Sequence, residues 1–157
     1  MNASRPKALT AKVVPLPSAQ RGLEAELVLR LPSDIARIEE AVELVARHLE
    51  AQFVDPHSIR FNLRVALSEA LANAILYGNH SDPAKDVSIR VLFGRTAIEM
   101  EVSDEGDGFD PGGVPDPTTA DHLADADGRG IFLIQRLVDE VRFNEKGNTI
   151  CMILRRA

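Results

Sequence analysis

The chain has a single cysteine, Cys151, so no disulfide can form within it. Its place in the apolar run "TICMILR" reads as a core thiol rather than a nucleophile. Long hydrophobic runs are also missing, and no window approaches the ~20 apolar residues that a membrane-spanning helix needs. The first residues, "MNASRPKALTAKVVPLPSAQRG", contain no continuous signal-type apolar core, because prolines interrupt the one hydrophobic patch. Residues 1–22 therefore read as a flexible leader, and the protein as cytoplasmic. Basic excess is absent too. Lys and Arg total 18 against 24 Asp and Glu, a net charge of -6, which argues against direct binding to nucleic acid or to an anionic membrane. A phosphate ligand is still allowed, since backbone amides, a helix N-terminus or a metal ion can hold one. The histidines at 48, 57, 80 and 122 show no metal-ligand spacing.

What is present fits one folded domain over residues 23–157, with 45% hydrophobic and 27% charged residues in a chain of 157. "LEAELVLRLP" alternates polar and apolar residues and stops at Pro32, as a strand would. Ser33 or Asp34 then caps a helix whose apolar face is Ile35, Ile38, Val42, Leu44, Val45 and Leu49. Asp55-Pro56 breaks it. A second helix runs from about Ser58 to Gly78 or Asn79, either of which suits a left-handed end. "DVSIRVLFG" and "TAIEMEVSDEG" form strands around a tight Gly94-Arg95 turn. An aperiodic Gly, Pro and Asp-rich stretch reaches Asp127, a helix starts at "GRGIF", and two strands meet at Lys146-Gly147-Asn148. This order predicts an α+β fold, a two-layer sandwich with helices on one face of a mixed, mainly antiparallel sheet.

Four separated stretches carry candidate chemistry. Glu69 and Asn73 lie four apart on an otherwise apolar helix, stacked roughly 6 Å along its axis. A solvated polar pair would have the same spacing. Asp104 ends a strand and is followed by Gly106 and Gly108; a carboxylate there can accept from an amino group while glycines admit a flat base, although a plain turn uses the same residues. Gly128 and Gly130 open a helix, where free amides and the helix dipole favour phosphate. Thr149 begins the last strand, an ordinary place for a β-branched residue.

In this order the motifs E-x-x-x-N, D-x-G-x-G-F, a long lid, G-x-G and a terminal G-x-T resemble the N, G1 and G2 boxes of the GHKL, or Bergerat-fold, ATPases, from about Leu23 to Arg156. The short chain, its leading strand and "LRVALSEALANAILYGNH" resemble, more narrowly, the bacterial anti-sigma factor serine/threonine kinases. The resemblance implies ATP and Mg²⁺ as cofactors. It makes Asn73 the Mg²⁺ ligand and Glu69 the group that orients or deprotonates the attacking hydroxyl. Asp104 would recognise adenine, with Gly106 and Gly108 shaping the base pocket; Gly128, Arg129 and Gly130 would line the phosphates, and Thr149 would complete the site. It implies as partners a sigma factor and an anti-anti-sigma (antagonist) protein as substrate, and a homodimer. A nucleotide-gated binding module without transfer, or a detached histidine-kinase-type catalytic domain, would share the same motifs. The lid carries six aspartates and no Lys or Arg, which leaves Arg129 and the metal to meet the γ-phosphate. His48 reads as a surface residue, since the long dimerisation hairpin of a histidine kinase is not found.

Overall fold

The computed structural model describes residues 8–15, 23–52, 57–108 and 126–156. Its frame is a six-stranded sheet in the order β1-β2-β3-β4-β6-β5, built from β1 (Thr10–Pro15), β2 (Leu23–Pro32), β3 (Asp86–Gly94), β4 (Ala97–Ser103), β5 (Glu140–Phe143) and β6 (Thr149–Arg155). Every described pairing is antiparallel. Three helices join it: α1 (Ile38–Gln52), α2 (His57–Asn73) and α3 (Ala126–Leu137).

Strand alternation divides the sheet into two faces. Leu27, Leu29 and Leu31 on β2 stand opposite Val91, Ile89 and Val87 on β3. Met100 of β4 continues one such row to Met152 of β6. All of these are buried in a single core. The helices supply the other half of that core, with Val45 and Leu49 from α1, Leu63, Leu67 and Leu71 from α2, and Ile134 from α3. Each helix thus buries one apolar stripe against a sheet that is apolar on one face, the two-layer solution.

The opposite face carries charge. Arg90 pairs with Glu26 at 2.5 Å and reaches Glu101 at 3.9 Å, so outward side chains of β2, β3 and β4 are linked by ion pairs. Cys151 lies on this face, in register with Glu101 and Arg142, and not in the core as its apolar neighbours suggest. Within "TICMILR" only Met152 and Leu154 are buried, because a strand sends alternate residues to opposite faces.

Three further expectations change. Thr10–Pro15 forms an edge strand on β2 within the stretch read as a leader; Thr10, Val13 and Val14 suit a strand, and Pro15 is tolerated where only one neighbour pairs. Residues 1–7 and 16–22 lie outside the described residues. Ile35 is not on the buried face of α1 but in a preceding 3-10 turn, 58% exposed. Asp34 caps that turn by accepting from the Ala36 N–H at 3.0 Å, while Ser33 turns inward and donates to the Lys85 carbonyl at 2.6 Å. His48 is half-buried rather than a surface residue: its ring packs 4.8 Å from that of Phe93, and burial pushes its pKa down.

Candidate active site at the end of helix α2

Glu69 and Asn73 occupy successive turns of α2. Asn73 is the last α-helical residue, and its side-chain amide rests on α3: a Cβ built on Gly130 would stand 2.9 Å from Nδ2 and 3.1 Å from Oδ1 of Asn73. The lack of a side chain at Gly130 is what lets the two helices approach at this point. Glu69 is partly exposed, and no hydrogen bond or ion pair joins it to another described residue. A carboxylate and an amide oxygen are therefore presented side by side on one flank of α2.

Past Asn73 the helix widens. Ala74–Gly78 form a π turn closed by the Asn79 N–H on the Ala74 carbonyl at 2.8 Å. Asn79 stays right-handed (φ -94°), contrary to the left-handed end expected of Gly78 or Asn79, and the left-handed residues are His80 (φ 51°) and Ser81 (φ 54°). The physical reason is the side chain of Asn79, which is 0% exposed and must face the interior to find its partners. Inserted π turns recur at functional sites.

The π turn carries Gly78 beneath the carboxylate of Asp104, so closely that a methyl group on Gly78 would overlap it. A methyl on Gly106 would overlap the Gly78 carbonyl in turn. Asp104, just past the end of β4, accepts from the Gly106 N–H at Oδ1, 2.8 Å away. Burial pushes its pKa up, opposed by that N–H and by positive charge on Lys146, Lys85 and His80. No described residue donates to Oδ2, so a half-buried, acceptor-only oxygen is left for an outside donor.

The turn between β5 and β6 closes the far side. Asn144 Oδ1 accepts from the N–H groups of Gly147, Asn148 and Thr149 at 2.8, 3.0 and 3.1 Å. Asn148 binds the backbone of Asp104 from both ends, its carbonyl accepting the Asp104 N–H at 2.9 Å and its Nδ2 donating to the Asp104 carbonyl at 3.3 Å. Gly108 packs against the Lys146 carbonyl with φ +82°, a backbone angle that a side chain would strain.

Asn73, Asp104, Gly106, Gly108 and Gly130 are thus gathered around the C-terminal end of α2. Thr149 is not. Its hydroxyl lies 2.9 Å from that of Ser103, on the charged face of the sheet, whereas Asp104, one residue further, points to the helical face. The residue in register with Asp104 is Asn148. Gly128 and Arg129 fall in the first turn of α3, but their surroundings and the Arg129 side chain lie outside the described residues, as does the lid from 109 to 125. The sequence marks Gly78, Asn79 and Asn148 only as helix-end and turn residues and not as part of the candidate site; a Gly-Asn pair straight after an apolar helix, and a second Asn before the final strand, are the available signals.

Among the described residues no group of three or more His, Cys, Asp or Glu side chains could hold a metal ion. The donor set instead suits Mg²⁺, a hard cation that takes few protein oxygens and keeps its waters and nucleotide oxygens. Asn73 Oδ1 is such an oxygen, beside the start of α3. Asp104 Oδ2 likewise suits an exocyclic amine. The residues present therefore fit a magnesium nucleotide.

Residues 31–154 match the family model of the histidine kinase-like ATPase domain. The chain is similar to the serine-protein kinase RsbW of Bacillus subtilis (strain 168), 36% identical over 99 residues that cover 58% of this chain and 61% of that one. It is 33% identical to RsbW of Bacillus licheniformis over the same shares. The anti-sigma F factor of Geobacillus stearothermophilus is 32% identical over 118 residues, 69% of this chain and 80% of that one. The match thus spans about three-fifths of the RsbW relatives' length. No helix among the described residues is long and apolar enough to cross a membrane. The chain belongs to the histidine kinase-like ATPase domain family, and within it to the anti-sigma factor kinases.

Proposed function

We propose that this protein is an ATP-dependent serine/threonine kinase that phosphorylates an anti-anti-sigma (antagonist) protein and also sequesters a sigma factor, working as a cytoplasmic homodimer. The observation that carries the reading is the pair on α2: a carboxylate with no partner among the described residues, one turn from an amide seated against α3. Two relatives named for serine-protein kinase activity and one named as an anti-sigma factor support it.

Phosphoryl transfer needs positioning and charge stabilisation more than covalent chemistry by the protein. Glu69 accepts the proton of the acceptor hydroxyl as its oxygen bonds to the γ-phosphorus and the bond to the ADP oxygen breaks. Asn73 holds Mg²⁺ through Oδ1, and the ion when bound neutralises phosphate charge. Asp104 Oδ2 accepts from the adenine amine, in a pocket bounded by Gly78, Gly106 and Gly108. Gly128, Arg129 and Gly130 flank the phosphates at the start of α3, where unpaired N–H groups favour negative charge.

A second reading, nucleotide-gated binding without transfer, is favoured by one feature alone, the lack of Lys and Arg between residues 109 and 127. Incubation with labelled ATP and candidate antagonist proteins separates the two. Acid-stable phosphate on the antagonist supports the kinase; its absence with intact ATP binding supports the second reading; acid-labile phosphate points to histidine chemistry.

A further inference from the structure

Asn79 is a buried polar side chain that joins three parts of the fold behind the candidate base pocket. It is fully enclosed. Its Nδ2 donates to Ser33 Oγ at 2.9 Å, where β2 gives way to the turn before α1, and to the Asp86 carbonyl at 3.0 Å, at the start of β3. Its Oδ1 accepts the N–H of Glu105 at 2.8 Å. Both amide protons and the oxygen are used, so no other residue type of similar size fits: leucine would make none of these three hydrogen bonds, and aspartate would set an anion against the Asp86 carbonyl.

We propose that Asn79 is a positioning residue that sets base selectivity by fixing the direction of the Asp104 carboxylate. This rests on the reading of Asp104 as the group that recognises adenine. Glu105 is the residue through which the chain leaves β4, and its N–H would otherwise point into the interior without a partner. With that N–H held by Asn79, and the Gly106 N–H held by Asp104 Oδ1, the segment 104–106 has one arrangement, and Oδ2 has one direction. The Glu105 carboxylate adds a bond to the Asp86 N–H, so the same short segment is tied to β3 twice, through Asn79 and directly. With the Asp104 carboxylate misdirected, a nucleotide could still bind through its phosphates at α2 and α3, but its base would be read poorly. Asn79 is fully enclosed, so its influence on the base runs through Asp104.

The test is the ratio of ATP to ITP affinity, since ITP replaces the 6-amino group by a carbonyl and keeps the triphosphate. In full-length protein with Mg²⁺, Asn79→Ala is expected to lower that ratio about tenfold, the equivalent of one hydrogen bond of ~1.4 kcal/mol. Ser33→Ala, which cuts the same buried network on the side remote from Glu105, is expected to lower the melting temperature and keep the ratio. A ratio unchanged in Asn79→Ala but lost in Asp104→Asn overturns the positioning role and spares the base site. No preference for ATP in the wild type overturns both. Should Asn79→Ala fail to fold, hydrogen exchange of the Glu105 amide in the nucleotide-free wild type decides: protection matching that of central β3 supports the role, and exchange at the rate of an open loop overturns it.

Discussion

The side-chain amide of Asn73 rests on the backbone of Gly130, so the end of α2 and the start of α3 share one contact with no atoms to spare. Adding a methyl group there forces the amide, the movable partner, to shift. Gly130→Ala is expected to weaken Mg²⁺-dependent ATP binding by about tenfold, the scale of one lost ligand contact. The fold should not suffer, because alanine favours a helix over glycine by roughly 0.5–1 kcal/mol. Calorimetric titration with and without Mg²⁺, beside a melting curve, checks both halves. Unchanged affinity would mean that the Asn73 amide does not serve the metal.

Glu69→Ala should separate binding from chemistry. Nucleotide affinity is expected to hold while phosphate transfer to the antagonist falls by about 10² or more, the usual loss for a general base. Single-turnover rates at saturating ATP measure it, and an unchanged rate removes Glu69 from the mechanism.

Gly106→Ala meets backbone rather than a flexible side chain, since the added methyl overlaps the Gly78 carbonyl. Overpacking of this kind costs about 1–3 kcal/mol. Urea unfolding should show a lower midpoint with the slope preserved. A variant as stable as the wild type would contradict the described contact between the π turn and Gly106.

The role proposed for Asp104 in base recognition sets it against stability. Burial raises its pKa above the ordinary 3.8, so the folded state holds its proton more tightly than the unfolded state. The associated stability is present at low pH and is lost as pH rises through the raised value. Asp104→Asn removes the charge and keeps an acceptor for the Gly106 N–H. It should melt no lower than the wild type at pH 7, with the difference shrinking as pH falls toward 4, while ATP affinity drops. Melting curves at several pH values and one ATP titration test this; a variant that melts lower at pH 7 than at pH 4 relative to wild type has the wrong sign.

Cys151 should be accessible yet slow to react. Burial, with help from Glu99 and Glu101, pushes its thiol up to about 11, so little thiolate exists at neutral pH. Alkylation by iodoacetamide is expected to lag a free thiol at pH 8 and to rise only above about pH 10. Rapid labelling at pH 7 would show an ionised sulfur instead.

Much of this architecture is legible in the sequence. Alternation in "LEAELVLRLP" and "TAIEMEVS" identifies strands, and the same period sends Leu27, Leu29 and Met100 inward. The stacking of Glu69 and Asn73 on successive turns of α2, and the turn joining Asp104 to Gly106, also follow from residue type and spacing. What alternation cannot give from one strand alone is which face is covered. That is why Cys151 is misread in the apolar run from Ile150 to Leu154, and why Thr149 is counted in the site although its neighbour Asn148 is the one bonded to Asp104. The pairing of β1 is hidden by Pro15 and Pro17, which resemble a leader more than a strand. Contacts such as Gly78 with Asp104 join residues distant in the chain and depend on one extra residue in a helical turn, which no local pattern reports.

That extra residue makes the length of the segment as important as its composition. In an ordinary helix each residue turns the chain by roughly 100°, so one deletion between Ala74 and Gly78 would restore α-helical closure and rotate everything after it by about that angle. Gly78 would leave its seat under Asp104, and the amide of Asn79 would swing from the interior toward solvent. Side-chain exchanges at the exposed Leu76 or Tyr77 leave this geometry alone. The stretch from 74 to 79 is therefore a spacer whose residue count is fixed by the contacts at its far end, tolerant of substitution on its outer side and intolerant of any change in length.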